Sequence, residues 1–487
     1  MSDSVEMSEL LPNQYSLHTL QRRLHSTQFS CLNHLLSIQL DADSLVVLID
    51  YVSSHVYQLP VICNLRNGAW YYRSPSGYSY FKSTDGHDGT WNFNLTRINL
   101  NIALMIAKNN GGIIIDSTRR GKVFPDSLRT TVPVWIAVLN NIVLHDNKIE
   151  LPVFMHESMQ QDIHSKLDAI IDSIPAKIKE IIINTLRDTF TRPMQPIWVN
   201  ISNDGSIEWH GNCAEEYLGY TGDGATLPFL PVLLYSASRL TCSEAEHSEH
   251  HSWHYIQGAG DDEEHWCPKG FDANIFWRFK DEILASTDTV LVEKAIQDIV
   301  SGCECSETSN YSLVPLGNTG IVLSSNYLTM ATSIDLLQFD ACIVVQPFHG
   351  TCETISHAFH PNTLLINTII TTSKCESMQV ENERWLQDII PSLFKLINTL
   401  QHTNYRIYIT SGCVTKAIAK PTSNELLPCV LVAVVIVLMQ QDPRHEITKT
   451  TLKSVLLEIQ TYLPHGLSVS IPRRYHKILH NYFIVHE

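Results

Sequence analysis

Residues 95–144 read LTRINLNIALMIAKNNGGIIIDSTRRGKVFPDSLRTTVPVWIAVLNNIVL, and their order of elements decides the fold class. Leu95, Ile98, Ile102 and Ile106 fall on one face at helical spacing. Asn109, Asn110, Gly111 and Gly112 stop that helix. Ile113-Ile114-Ile115 is then a short run without polar alternation, as expected of a strand covered on both faces. A polar loop, Asp116 to Lys122, follows, and Pro125 opens a second helix. Helix, buried strand, polar loop, helix is the order of an α/β unit.

Upstream, Leu17 to about His55 has helical spacing and predicts two or three helices, with Asp43 as an N-cap of the last. Leu59 to Cys63 predicts a strand, and NGAWYYRSPSGYSYF predicts strand, turn and strand. The loop Lys82-Ser83-Thr84-Asp85-Gly86-His87-Asp88-Gly89 leads into the helix at Leu95. Downstream, His254-Tyr255-Ile256 predicts a strand ending in Gln257-Gly258-Ala259-Gly260-Asp261-Asp262. From about Ser301 the texture shifts to short β-like runs, GIVLSS and DACIVVQPF. A helix around Trp385 to Leu400, a strand Arg406 to Thr410 with a Ser411-Gly412 turn, and an apolar helix from Pro428 to Gln440 complete a second α/β unit.

In such units ligands gather at the carboxyl ends of the strands, where all three polar loops are placed to meet. Ser117, Thr118, Arg119, Arg120 and Lys122 concentrate hydroxyls and cations after a buried strand, which suits a phosphate or an RNA backbone. Asp85 and His87 are each able to act as a base toward a hydroxyl. The small residues Gly258 and Gly260 let backbone approach a ligand, and the paired carboxylates Asp261 and Asp262 suit magnesium or ribose hydroxyls.

The composition is globular, 44% hydrophobic and 17% charged, which excludes disorder across the chain. The net charge of -16 excludes an evenly basic, nucleic-acid-coating surface but not a local patch. The acid is concentrated: between Cys242 and Cys267 lie Glu244, Glu246, Glu249, Asp261, Asp262, Glu263 and Glu264 with no Lys or Arg. The histidines and cysteines of that segment match no ordinary structural zinc spacing. The 12 cysteines include no CxxC pair and read as reduced, mostly buried thiols. No signal peptide is expected from MSDSVEMSELLPNQ, and the longest apolar run, Cys429 to Met439, is too short to span a bilayer. A cytoplasmic protein without a membrane partner is the expectation.

YFKSTDGHDG, IIIDSTRRGKVFPDSLRTTVPVWIAVLN, RPMQPIWV and YIQGAGDDEEHW together resemble the signature segments of the initiator tRNA phosphoribosyltransferases. The likeness runs from about Gln39 onward and is densest from Tyr80 to Asn140. It implies an α/β fold, with a phosphoribosyltransferase domain over 1–300, a linker over 301–318, and a dual-specificity-phosphatase-like α/β domain over 319–487. It implies a pentosyltransferase that moves 5-phosphoribosyl from phosphoribosyl pyrophosphate to the 2'-hydroxyl of adenosine 64 in initiator methionine tRNA. The competing expectation is a non-catalytic tRNA-binding protein on a phosphatase-like scaffold.

Under the resemblance, Lys82, Ser83, Thr84, Gly86, Ser117, Thr118, Arg119, Arg120, Lys122, Gln257, Gly258 and Gly260 are expected to line the substrates. Asp261 and Asp262 are expected to hold Mg2+ or the ribose hydroxyls, and Asp85, His87 or Asp116, in that order, to accept the acceptor's proton. The usual phosphoribosyltransferase loop is missing, since one acid follows Ile115 and no Thr-Gly-Gly-Thr comes after it. In the second domain, alignment on Gly412 places Ile409 where a phosphatase has its nucleophilic Cys and Thr415 where it has its Arg, so phosphatase activity is not expected. Family members follow that glycine with Lys-Asp, whereas this chain has Cys413-Val414, which leaves Lys416 or Lys420 as the substitutes for phosphate binding.

Overall fold

The computed structural model describes residues 28–55, 58–65, 67–95, 97–202, 206–219, 227–240, 245–247 and 253–306. Beyond these it describes 313–315, 321–328, 340–348, 363–369, 393, 395–397, 406–412, 433–435, 448–462 and 479.

The first sheet contains β1 (Val61–Asn64), β2 (Gly77–Ser79), β3 (Gly112–Asp116), β4 (Met194–Ile201), β5 (Ile207–His210) and β6 (Leu230–Ser236). Their spatial order is β2-β1-β3-β6-β4-β5, parallel throughout except for β5, which turns back along the edge of β4. The strands are apolar on both sides because both sides are covered. Ile62, Ile114, Val232, Leu234 and Trp198 enter one core. Their neighbours Cys63, Ile113, Ile115, Leu233 and Val199 enter the other.

One long helix, α1 (Cys31–His55), covers the second core. It runs through Asp43, so that residue caps nothing; the expected break there fails because Leu45, Leu48 and Val52 continue the buried stripe without interruption. The stretch 17–27 lies outside the described residues. The first core is built by α2 (Leu100–Lys108), α3 (Val132–Leu144), α4 (Glu157–Asp172) and α5 (Ala176–Leu186). A short α6 (Ala214–Leu218) leads toward β6, and a small hairpin of β7 (Ala245–His247) and β8 (His254–Ile256) stands apart from the main sheet. Helices α7 (Glu263–Trp266), α8 (Ala273–Ile283) and α9 (Thr289–Ser306) follow.

Two local expectations change. Gly68–Tyr71 forms a 3-10 turn rather than a strand. Because β1 and β2 are parallel, their connection must cross over the sheet, and Gly68 crosses where an added Cβ would stand 2.2 Å from the Ile115 carbonyl. Helix α9 also continues through Gly302 to Ser306, into the expected linker.

The later residues form a second sheet from β9 (Leu313–Pro315), β10 (Ile321–Leu328), β11 (Ala341–Phe348), β12 (Thr363–Ile369) and β13 (Ile407–Gly412). Its order is β12-β11-β13-β10-β9, with only β9 antiparallel. β13 includes Ser411 and Gly412 in place of the expected turn, because Ser411 still pairs with Val345. Most of the expected helices around Trp385 and Pro428 lies outside the described residues. The last described helix, α10 (Lys449–Tyr462), packs on α5 and α2, and its Leu457 is buried in the first core.

The segment Ser127–Leu144 is the one stretch among the described residues long and apolar enough to cross a membrane, but most of it is inside the protein as α3 and the turn before it.

Candidate active site

Asp116 ends β3 between β1 and β6, and the chain then has to leave the sheet. Its carboxylate is buried and holds three elements together. Oδ2 accepts from Asn64 Nδ2 at the end of β1 at 2.8 Å and from the Ser127 hydroxyl at the start of the next helical segment. Oδ1 accepts from the Ser117 amide at 2.9 Å. Burial pushes the Asp116 carboxyl up to about 6, with Asp261 adding to the rise, against the lowering effect of the Ser127, Asn64 and Ser117 hydrogen bonds.

The loop after Asp116 is anchored by Ser238, which accepts from the Thr118 amide at 3.0 Å and donates back to the Thr118 carbonyl at 2.7 Å. At its tip the Lys122 amide meets the Arg119 carbonyl at 3.4 Å, and both residues between, Arg120 and Gly121, have positive φ. That is the pattern of a type I′ turn, with an arginine in one of the two left-handed positions. Gln257 is buried and clamps the turn from behind: Oε1 accepts from the Gly121 amide at 2.8 Å and Nε2 donates to the Lys122 carbonyl at 2.9 Å.

Gly258 follows with φ of 67°, and an added Cβ would stand 2.6 Å from the Thr118 carbonyl oxygen. An added Cβ on Gly260 would meet the Trp70 side chain at 3.0 Å, and the Gly260 amide donates to the Tyr71 hydroxyl at 3.0 Å. The observed contacts of Gln257, Gly258 and Gly260 are thus within the protein, and they press the two loops together.

Helix α1 fixes the second loop from below with side chains one and two turns apart. His34 Nδ1 meets the Ala259 carbonyl at 2.7 Å and its ring stacks on Trp266. Burial lowers His34 to about 4, so it is neutral near pH 7. The Ser37 hydroxyl accepts from the Ile256 amide, and Asp41 accepts from the Tyr255 hydroxyl at 3.0 Å. Burial drives Asp41 well above the usual carboxylate range.

Asp261 and Asp262 lie side by side at the surface of this loop, and both meet Arg119: Nε is 3.4 Å from Asp261 and Nη1 pairs with Asp262. Among the described residues no group of three or more His, Cys, Asp or Glu is gathered to hold a metal by protein ligands alone. The side chains of Cys242, His247, His250 and His251 lie outside the described residues.

The third loop packs on the helix that begins at Asp126. Gly86 is forced here, because an added Cβ would stand 2.7 Å from the Asp126 carbonyl oxygen. The Lys82 carbonyl accepts from Thr131 at 3.3 Å, and Ser83 and Thr84 open a 3-10 turn that Asp85 closes. Asp85 is ion-paired with Arg97 at 2.6 Å. His87 is half-exposed, with Nε2 3.5 Å from Asp126 Oδ2.

Asp126 is the residue that sequence reading missed. It stands where an N-cap is expected, yet its side chain makes no capping hydrogen bond. Instead it meets Lys122 at 3.1 Å, Arg129 at 3.2 Å and His87, gathering three basic groups around one nearly buried carboxylate. The spacing to Arg129 was readable as a helical pair; Lys122, in the loop before Pro125, and His87, far upstream, were not. The five residues from Ser127 to Thr131 form a π turn, a distortion frequently found at functional sites. Two ionic groups thus flank the loop after β3: Arg119 on Asp261 and Asp262, and Lys122 with Arg129 on Asp126.

The family model of the Rit1 N-terminal domain matches residues 24–301. An uncharacterized protein of Schizosaccharomyces pombe is 34% identical over 302 residues, 59% of this chain and 61% of that one. The tRNA A64-2'-O-ribosylphosphate transferase of Saccharomyces cerevisiae is 32% identical over 278 residues, 54% of this chain and 52% of that one. The chain therefore spans between half and two thirds of the length of these curated relatives. No solved structure matches.

Proposed function

This chain belongs to the Rit1 family, and from that premise we propose that it transfers 5-phosphoribosyl from phosphoribosyl pyrophosphate to the 2'-hydroxyl of adenosine 64 in initiator methionine tRNA. The observation that carries the reading is the clustering of Lys122, Arg129 and His87 on Asp126, beside the Arg119 turn, at the strand ends where this fold class binds ligands.

In the proposed reaction the bond from the anomeric carbon to pyrophosphate breaks, and a bond from that carbon to the acceptor 2'-oxygen forms. The hydroxyl proton goes to His87. Of the three expected bases, Asp85 is occupied by Arg97, and Asp116 is engaged by Asn64, Ser117 and Ser127. His87 remains half-exposed, with Asp126 3.5 Å from its Nε2 to orient the ring. Asp116 then positions the loop and the helix, and its negative charge favours an oxocarbenium-like centre. Arg119, Arg120, Lys122 and Arg129 bind phosphate oxygens, whereas the Ser117 and Thr118 side chains are buried and serve the loop itself.

Asp261 and Asp262 fit a magnesium ion, since two carboxylates completed by phosphate oxygens are a set that this ion accepts. Bound there, magnesium would neutralise the leaving pyrophosphate. Arg119, which pairs with both carboxylates, would turn from them to phosphate.

The order β12-β11-β13-β10-β9 with one antiparallel edge supports a phosphatase-like reading of the C-terminal part. We place its role in scaffolding or tRNA binding, because Ile409 lies on β13 where a thiolate would be needed. The test is mass analysis of initiator tRNA incubated with the full chain, magnesium and phosphoribosyl pyrophosphate. A ribosyl phosphate adduct at position 64 is expected. Salt-sensitive binding without an adduct would replace the transferase by a tRNA-binding protein.

A further inference from the structure

Pro152-Val153-Phe154-Met155 closes a tight turn, with the Met155 amide donating to the Pro152 carbonyl at 2.9 Å. Turn tips ordinarily carry Gly, Asn, Asp or Ser. Here the tip is Val153 and Phe154, 63% and 47% exposed, while Leu151 and Met155 on either side are buried and hold the turn in place. Phe154 is therefore presented outward on a fixed base. Its ring lies nearly parallel to that of Phe124, 6° apart with centroids at 5.3 Å. His210, on the edge strand β5, stands edge-on to both rings at 5.9 Å. The imidazole is itself held by Asn200 at 2.9 Å.

Phe124 lies midway between Lys122 and Asp126, at most about 7 Å of backbone from either. The aromatic ledge is thus continuous with the cluster of cations. With an RNA phosphate at Lys122, a neighbouring base would lie within reach of Phe154, one ring contact beyond Phe124. Unpaired bases are read by stacking on aromatic faces beside basic grooves, the combination that Phe154 and the adjoining cations offer.

We propose that Phe154, backed by Phe124 and flanked by Val153 and His210, is a stacking platform for an unpaired nucleobase of the RNA substrate. This rests on the tRNA-modifying reading above, and its test separates the two. Binding of unmodified initiator tRNA to the full chain is measured by fluorescence anisotropy for wild type, Phe154→Ala, Phe154→Leu and Phe154→Trp, alongside adduct formation and thermal unfolding.

Phe154→Ala is expected to weaken tRNA binding about tenfold. Phe154→Leu should be nearly as weak and Phe154→Trp close to wild type, with the melting temperature of all three unchanged. Equal binding by wild type and Phe154→Ala would overturn the platform, as would full recovery by Phe154→Leu, which would mark a merely apolar contact. A melting temperature lowered in Phe154→Ala, with binding intact, would show that the ring is covered by the chain itself and also overturn it. If Phe154→Ala loses binding while wild type forms no adduct, the platform stands and the transferase reading fails.

Discussion

Two side chains at the strand ends carry opposite consequences of burial. His87 is half-exposed and leans on Asp126, so His87→Gln should leave folding intact. If His87 takes the acceptor proton, the variant should lose roughly a hundredfold in turnover with tRNA, the lower range of general-base effects. Unchanged single-turnover rates would remove it from the reaction. Asp116 is the reverse case, a buried carboxyl whose burial lifts it from the ordinary 3.8 to about 6. Between those values the folded chain binds the proton and the unfolded chain does not. The stability it contributes is full below about pH 4 and is lost as pH rises through 6, by about 3 kcal/mol. The difference in urea unfolding free energy between wild type and Asp116→Asn should shift by about that amount from pH 4 to pH 7. A flat difference would contradict the burial. The loop residues were legible because cations and hydroxyls directly follow a recognisable strand. Their partners were not, because Asn64, Ser127 and Gln257 come from separate elements and meet Asp116 and Lys122 only in the fold.

At the scale of elements, the loops at Thr118 and Gly258 are close enough that neither can move alone. Gly258→Ala would place a methyl 2.6 Å from the Thr118 carbonyl oxygen in a left-handed conformation. We expect a loss of about 1–3 kcal/mol in stability and a larger fall in donor affinity than in tRNA affinity. Comparable falls in both affinities would mean that the loop serves the whole surface rather than the phosphates. The α/β unit around Ile113-Ile114-Ile115 was legible from its unbroken apolar run, because a strand covered on both faces has no polar alternation to confuse it. The 3-10 turn at Trp70 was not, since aromatic residues there satisfy a strand pattern equally well, and only the parallel pairing of β1 with β2 requires a crossover. Likewise the length of α1 is set by the buried stripe beyond Asp43, which outweighs the local capping preference.

Across the whole molecule, the charge of -16 resolves into a patterned edge, where Arg119, Lys122 and Arg129 stand directly on carboxylates. Each of these cations is held in place by an acid, so under the proposed function phosphate has to compete with that acid, and net charge says little about affinity for RNA. The two sheets follow the change in sequence texture near Ser301, but helix α10 does not respect that division, because Leu457 is buried with α2 and α5. Leu457→Ala should cost about 2–5 kcal/mol and speed hydrogen exchange in those two helices. Exchange confined to the second sheet would show that α10 is not part of the first core.

That docking has a consequence for synthesis. The amino-terminal unit emerges from the ribosome long before residues 449–462, yet one side of its apolar layer waits for them. Until they arrive, the surface of α2 and α5 that α10 will occupy is open to chaperones and to other nascent chains, so the first sheet's core is completed only after every strand of the second sheet has been synthesised.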